Sequence, residues 1–456
     1  MTLRRKTWCW LCFLVFAVSF AVRITAIKMF PQYDHHDDIE IYRASGALIV
    51  RGINPYDFSD HISVRTLLRE QSPNPDMRNL SQARWDYYAS SNLPMNLLFF
   101  GALNAISDSP LLHRYAYGFF DSLLCVLIVW FVLGHWPAVP GYPGLALSAA
   151  GLSSNAALFT ERLGIGLALG CFSPILFKNG AAIPEDKGIQ ILLMLAAVAC
   201  YLSRSERIWF WGGAVFLGLS IAFKGLGIFL VPLFVSRLAA QRGRAIGTAQ
   251  VQPVRAWKRS LAFTAVCAAA AGVWLIPFGR GVAAMVGTRL ALASTLQPQH
   301  ASLWVIPSIY FPSGWKVLRL GLLLATLGVA FVGYWQKRIG IEVVCVTVLL
   351  AFVVVWMING STDRQNIALL PVILLLGRRS PRAAFVCLIP YLLAGLGGFV
   401  THGLQGQAVN FAVRETLEGL GIFLFVIVYL GTLSRASFFS SNLNQAPALA
   451  LESSTA

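Results

Sequence analysis

The chain has 456 residues, of which 57% are hydrophobic and only 12% are charged. Soluble proteins carry roughly 25% charged residues, so this chain cannot cover a water-facing surface of ordinary size. Because many apolar residues fall in runs close to the length of a membrane span, the composition excludes a soluble enzyme, a nucleic-acid-binding domain and a disordered chain. It predicts an all-α polytopic membrane protein, in which the net charge of +16 comes from cationic loops.

The first predicted helix follows Arg4, Arg5 and Lys6 and runs to about Ala26. No small-residue cleavage site precedes a soluble domain, so we expect an uncleaved membrane helix and not a signal peptide. Since basic residues are retained in the cytoplasm, the N-terminus is expected on the cytoplasmic side.

Apolar runs predict a bundle of about 12–14 membrane-spanning helices. The candidate spans are residues 7–27, 93–107, 115–135, 144–159, 163–178, 188–203, 208–223, 225–239, 260–277, 317–335, 340–358, 366–377, 383–400 and 416–433. Counted from a cytoplasmic N-terminus, the inside loops receive Arg114, Arg162, Arg204, Arg207, the basic residues between Arg237 and Arg259, Lys337, Arg338, Arg378, Arg379, Arg382 and Arg435. We interpret residues 1–433 as one transmembrane domain and residues 434–456 as a disordered cytoplasmic tail.

Two long loops are predicted on the outer side, at residues 28–92 and about 278–316, and such loops are usually functional. The first holds 9 of the 20 acidic residues. Within it, Ile41, Ala44 and Leu48 recur at helical spacing before Gly52 ends the pattern. This spacing predicts an amphipathic interfacial helix of about 14 residues, too short to span, followed by a turn at Asn54-Pro55-Tyr56.

The sharpest local signal is Tyr33-Asp34-His35-His36-Asp37-Asp38, directly after the first span. One interpretation is a catalytic carboxylate, with or without a metal ion. The other is a helix N-cap with a solvated acidic face, and the string alone leaves both open. Since no distant partner ligand is evident, we predict no protein-bound metal.

Two cations stand out on the predicted outer side. Lys224 interrupts a pair of apolar helices, where it either binds a phosphate or extends toward water from a helix end. Arg364 runs against the positive-inside trend, so we expect an anionic partner, which is Asp363, a lipid headgroup or a ligand phosphate. By itself, His300 in the second outer loop indicates a structural role. The polar segment from Lys178 to Gly188 is interpreted as a plain connector.

Taken in order, these signals resemble the GT-C membrane glycosyltransferases, most closely family 87, the polyprenol-phosphate-mannose-dependent mannosyltransferases. That family carries a D-F-x-x-Y…A…L…G-x-N-P-Y pattern in its first outer loop, matched here by Asp38, Tyr42, Ala44, Leu48, Gly52 and Asn54-Pro55-Tyr56. The family's G-L-x-x-x-x-K segment corresponds to Gly218–Lys224. The usual Tyr-Pro-Pro before the second span is replaced here by residues 87–94, which leaves the sugar open.

The resemblance implies a GT-C-like bundle in a bacterial inner membrane, with its active site on the outer face. The implied donor is a polyprenyl-phosphate sugar, most simply mannose, and the acceptor is a lipid-linked or surface glycan. Inversion at the anomeric carbon requires a base, which we assign to Asp38, with Asp37 and Asp34 as substitutes. Lys224, Arg364 and His300 are assigned to the donor phosphate, and Tyr42, Asn54 and Tyr56 to the donor and acceptor pocket.

No cofactor beyond the sugar co-substrate and no nucleic acid is expected, and membrane lipids are the expected surroundings. A nucleotide-sugar donor is disfavoured because the predicted cytoplasmic loops are short and carry neither a GxGxxG nor a DxD motif. Two other hypotheses are a transporter or flippase of lipid-linked glycans and a non-catalytic scaffold. The flippase explains the bundle but not the acidic outer loop, and paired broken helices in inverted repeats are not visible in the sequence.

Overall fold

A computed structural model describes residues 5–56, 63–79, 93–136, 154–247, 253–279, 281–283, 302–357, 362–403 and 410–435. Every regular element in these ranges is helical, which confirms the all-α prediction for them. Five helices are long and apolar enough to cross a membrane, namely Lys6–Met29, Pro110–His135, Ala156–Leu176, Trp315–Trp335 and Leu417–Ser434. Several shorter apolar helices accompany them.

The helices are numbered here in chain order. The N-terminal part contains α1 (Arg5–Met29), α2 (Asp37–Val50), α3 (Val64–Gln71), α4 (Pro75–Arg78), α5 (Pro94–Ile106) and α6 (Pro110–His135). The middle part contains α7 (Ser154–Leu169), α8 (Pro174–Leu176), α9 (Lys187–Leu202), α10 (Gly213–Lys224), α11 (Val231–Gly247) and α12 (Pro253–Gly272). The C-terminal part contains α13 (Val305–Tyr310), α14 (Trp315–Trp335), α15 (Ile341–Leu350), α16 (Thr362–Arg379), α17 (Pro381–Gly403) and α18 (Asn410–Ser434). Three π-helical turns accompany these helices: Phe177–Ala182 follows α8, Ile208–Gly212 precedes α10, and Ala351–Trp356 follows α15.

The long helices run between two ends of the bundle, and ion pairs mark each end. At the first, which we call the loop end, Asp34 after α1 pairs with Arg114 near the start of α6. At the other, the basic end, Arg378 and Arg379 of α16 pair with Glu342 at the start of α15. The first outer loop therefore lies opposite the arginine-rich turns, as the charge pattern predicts.

The predicted span at 93–107 is wrong, because both ends of α5 lie at the loop end. Asn96 in its first turn donates to Asp186, and Asp108 just beyond its last turn pairs with Arg43 of α2. A helix of 13 residues extends only about 20 Å, short of a core of about 30 Å. Arg114 consequently lies at the loop end, so the prediction that places it on the side opposite residues 28–92 is also wrong.

The prediction of separate spans at 144–159 and 163–178 is also wrong, and this second error cancels the effect of the first on the sides assigned to later loops. The single helix α7, Ser154–Leu169, runs through the boundary predicted between them, and residues 144–153 lie outside the described part of the chain. One span is lost before α6 and one after it. The alternation from residue 188 onward is therefore preserved, and Lys224 lies at the loop end, bonded to Asp186.

Helix α2 matches its prediction in length and bounds, with 14 residues from Asp37 to Val50. Gly52, with φ +75°, follows its last turn in a conformation that favours glycine. One face packs Ile41, Ala44 and Leu48 on α3, and the other packs Ile39 and Tyr42 on α5 and α6. Protein covers both faces, so α2 is a core element of the loop end, which fixes the position of its N-terminal acids.

Candidate functional site

Asp38 lies in the first turn of α2, where a carboxylate interacts favourably with the helix dipole. The N-cap position belongs to His36, whose Nδ1 accepts a hydrogen bond from the Asp38 backbone N–H at 3.5 Å. The Asp38 side chain points elsewhere: its Oδ2 lies 3.1 Å from Nζ of Lys187, the first residue of α9. Asp38 thus joins two elements that are 149 residues apart.

Asp186, the residue before Lys187, is fully buried and makes contacts with several helices. Together with Asp38, Glu185, Lys187 and Lys224 it forms what we call the lysine cluster. It occupies the N-cap position of α9 but makes no capping hydrogen bond with its side chain. Its Oδ2 instead accepts from Tyr42 Oη at 2.5 Å and from Asn96 Nδ2 at 2.6 Å. Its Oδ1 lies 2.7 Å from Lys224 Nζ, so one carboxylate links α2, α5, α9 and α10.

Lys224 ends α10, where the negative end of the helix dipole favours a cation. Gly225 follows with φ +79°, a left-handed conformation that favours glycine, and turns the chain away from the helix axis. The Lys224 side chain is only 17% exposed and is bound to Asp186. The alternative of a lysine extended into water therefore does not describe its geometry.

Lys187 contacts three carboxylates at once. Its Nζ lies 3.1 Å from Asp38 Oδ2 and 3.6 Å from Asp186 Oδ1, and it pairs with Glu185 as well. The carboxylate oxygens of Asp38, Glu185 and Asp186 lie within 4.8 Å of one another, and oxygens so grouped can hold a divalent cation. The lysine ammonium already supplies a positive charge at their centre. With Lys224 included, the three carboxylates and two ammonium groups of the cluster carry a net charge of one negative unit when all are ionised.

The pKa of Asp38 reflects two opposing effects. Burial raises it, but the ammonium groups of Lys187 and Lys224, aided by His36, outweigh burial and lower the pKa to about 2. Asp38 is therefore an ionised carboxylate at any physiological pH. Burial, followed by the charges of Asp186 and Asp38, raises the pKa of Tyr42 well above its usual value. The phenol therefore stays protonated and donates a hydrogen bond to Asp186.

The other two candidate bases have different partners. Asp34 Oδ1 lies 2.5 Å from Arg114 Nη1, which also donates to the carbonyls of Ile27 and Phe30 and so secures the end of α1. Asp37 Oδ1 accepts from Asn74 Nδ2 at 3.1 Å. Of the three candidate bases Asp34, Asp37 and Asp38, the contacts of the described residues ion-pair Asp38 with Lys187.

The predicted pocket residues separate into two groups. Tyr42 belongs to the cluster through Asp186 and stacks on Phe100 with ring centroids 4.3 Å apart. Asn54 donates to the Phe278 carbonyl at 3.2 Å, and the Tyr56 ring lies 5.3 Å from the Phe278 ring. The Asn-Pro-Tyr turn thus joins the first outer loop to the start of the second.

The remaining two phosphate candidates are not brought into the cluster by the described contacts. Arg364 is half-buried in the first turn of α16, and its helix packs on α15, α17 and α9. Since Arg378 and Arg379 of the same helix lie at the basic end, Arg364 lies toward the loop end. His300 lies outside the described residues.

Glu185, Asp186 and Lys187 belong to the site although they lie in the segment from Lys178 to Gly188, for which the sequence predicts a plain connector. A signal was present: three consecutive charged residues in a chain with 12% charge, on the same predicted side as Lys224. Asn96 was missed because it lies inside an apolar run. A polar residue in such a run is a candidate for a buried hydrogen bond.

Comparisons with family models, with curated proteins and with solved structures give no match. The class is therefore defined by the fold and the site alone. In the part of the chain that the structure describes, every regular element is helical. Five of these helices are long and apolar enough to cross a membrane, and a buried cluster of lysines and carboxylates lies at one end.

Proposed function

We propose that the protein is a GT-C-type membrane glycosyltransferase. It moves a sugar, most simply mannose, from a polyprenyl-phosphate donor to a lipid-linked or surface glycan on the outer face of a bacterial inner membrane. The observation that carries the proposal is that Asp38 shares one ion-pair cluster with two lysines. Lys187 pairs with Asp38 directly and also approaches Asp186, which in turn pairs with Lys224. An acceptor-activating carboxylate and phosphate-binding cations within one cluster are the groups that such a transfer requires.

In this mechanism Asp38 accepts the proton of the acceptor hydroxyl as its oxygen attacks the anomeric carbon. The bond from that carbon to the phosphate oxygen breaks, and polyprenyl phosphate leaves with the electron pair. With a pKa of about 2, Asp38 is a weak base while both lysines neutralise it. A donor phosphate that attracts Lys187 and Lys224 would weaken their hold on Asp38 and raise its proton affinity. Donor binding and base activation are thereby coupled.

Lys224 is the better-placed phosphate ligand, because its partner keeps other hydrogen bonds when the lysine moves. Asp186 Oδ2 remains bonded to Tyr42 and Asn96 at 2.5 and 2.6 Å. The Lys224 ammonium can therefore turn toward an anion without leaving a wholly unsatisfied carboxylate. As the sugar–phosphate bond breaks, negative charge grows on the phosphate, and a positioned cation there favours the transition state over the ground state.

The test uses the full chain in proteoliposomes with radiolabelled polyprenyl-phosphate mannose and a membrane-lipid extract as acceptor source. We expect label to move into a new lipid or glycan product with wild type and with Asp37→Asn, and the rate to fall by about 10²–10⁴-fold with Asp38→Asn. Asp37 is the matched control, since it is the adjacent acid and is bonded to Asn74. Movement of the donor across the bilayer without transfer would support the flippase and contradict the proposal.

A further inference from the structure

A groove at the basic end lies far from the lysine cluster and has no part in the proposed reaction. It is a cavity of about 480 Å³ between α6, α9 and the π-helical turn before α10. Its lining consists of Leu127, Trp130, His135, Ala199, Cys200, Leu202, Ser203, Arg204 and Ile208. The volume is that of a small-molecule site, within the usual range of about 300–1,000 Å³.

The polarity of the groove changes along its length in the same direction on both walls. On α6, Leu127 and Trp130 precede His135, and on α9 Ala199 and Leu202 precede Arg204. Both helices end at the basic end. The apolar part of each wall therefore lies deeper in the bundle, and the polar part lies at the rim. This is the gradient of a membrane lipid, whose apolar chain and charged headgroup are joined end to end.

One charged group at the rim, Arg204, is available to a ligand. Arg204 is exposed and forms no ion pair within the described part of the chain. Arg237 donates to the carbonyls of Tyr201 and Ser203, so the end of α9 is held without help from Arg204. The His135 ring stacks on Phe131 and forms part of the groove wall beside Arg204. An arginine fork matches the geometry of a phosphate.

We propose that this groove holds one acyl chain of an anionic membrane phospholipid, with Arg204 binding its headgroup phosphate. Basic pockets between membrane helices on the cytoplasmic side are suited to such headgroups. Trp130, at the boundary between apolar and polar walls, has the position that tryptophan prefers at a membrane interface. A protein partner fits less well, because specific interfaces bury upward of about 1,000 Å².

The test is native mass spectrometry of the full chain in detergent, titrated with dioleoyl-phosphatidylglycerol or dioleoyl-phosphatidylcholine. We expect one phosphatidylglycerol to bind preferentially, and Arg204→Ala to weaken it about tenfold, as loss of a charge-assisted hydrogen bond does. Arg207→Ala is the matched control, since it removes an exposed arginine three residues away that does not line the groove. Its affinity should equal that of wild type.

A second variant tests the apolar part. Ala199→Phe fills the groove and should reduce retention of both lipids. Equal losses with Arg204→Ala and Arg207→Ala, or unchanged binding to a folded Ala199→Phe protein, would overturn the assignment. Because Arg204 is exposed, its replacement does not disturb packing, so the arginine comparison decides the question even where Ala199→Phe unfolds.

Discussion

Replacement of Lys224 distinguishes between two roles for this lysine, which are binding of the donor phosphate and neutralisation of Asp186 alone. Lys224→Ala removes a contact of 2.7 Å from a fully buried carboxylate. Breaking a buried ion pair typically costs about 3–5 kcal/mol. The cost here should be smaller, about 1–3 kcal/mol, because the Lys224 side chain is 17% exposed and Asp186 keeps Tyr42, Asn96 and Lys187.

The effect on transfer should exceed the effect on stability. If Lys224 stabilises the leaving phosphate, Lys224→Ala lowers kcat by about 10²-fold with a smaller change in the donor KM. Lys224→Arg rescues at best partly, since a planar fork does not replace a point charge. Lys316→Ala, which removes an exposed lysine at the start of α14, serves as control and should retain wild-type kinetics.

The double variant Lys224→Met/Asp186→Asn decides between the two roles. It removes both charges of the pair, so thermal stability should recover much of what Lys224→Ala loses. Transfer should remain about 10²-fold below wild type, because the phosphate still lacks its cation. Recovery of transfer along with stability, measured by radiolabel transfer and by thermal unfolding of the same preparations, would refute the phosphate role and leave Lys224 as a counterion.

Three further predictions concern the base, the metal and the orientation. The pKa of Asp38 is lowered to about 2, so its ion pair contributes stability that is fully present above the usual carboxyl pKa of about 4 and is lost as the pH falls through 2. For the same reason, wild-type kcat/KM should show no ionisation of Asp38 between pH 7 and 4. A step near pH 4 that Asp38→Asn abolishes would contradict this. Transfer should survive EDTA, because Lys187 supplies a cation among the three carboxylates, and rescue of a chelated wild-type enzyme by Mg²⁺ or Mn²⁺ would instead make Asp38, Glu185 and Asp186 ligands. A cysteine at Ser63 should react with an impermeant thiol reagent from the outer side, and labelling from the cytoplasmic side alone would reverse the proposed orientation.

The sequence predicted those parts of the site that lie on one local pattern. The acids at the start of α2, the helix itself and the lysine at the end of α10 each carry a signal within about ten residues, since helix dipole, hydrophobic periodicity and glycine conformation all act locally. Asp186 could not be assigned this way. Its role depends on contact with Tyr42 and Asn96, which are 144 and 90 residues away, and hydropathy does not report which loops meet.

The misplacement of Arg114 has a related cause. Hydropathy describes the composition of a segment and not the direction in which it runs, so the apolar helix α5 was counted as a crossing. One face of α5 is buried at the loop end, where Leu97 and Phe100 pack with Ile39 and Tyr42 of α2. Length was the better guide, because 13 residues are too few for a full crossing.

The cluster has a consequence for how a donor would bind. Every lysine in it is already paired, so an arriving phosphate must compete with Asp38, Glu185 and Asp186 for ammonium groups, and the excess negative charge opposes it. Competition is least costly at Asp186, whose Oδ2 is satisfied by two neutral donors. At Asp38 the same competition frees the carboxylate that must accept a proton. Part of the binding free energy of the sugar donor then goes into activating the base, and the acceptor is deprotonated only when a sugar donor is present.

Tyr42→Phe, which removes one neutral hydrogen-bond donor from Asp186, should tighten the pair between Lys224 and Asp186 and weaken binding of the sugar donor. It should therefore raise KM more than it lowers kcat in the transfer assay. An unchanged KM together with a large fall in kcat would place Tyr42 in the chemical step instead.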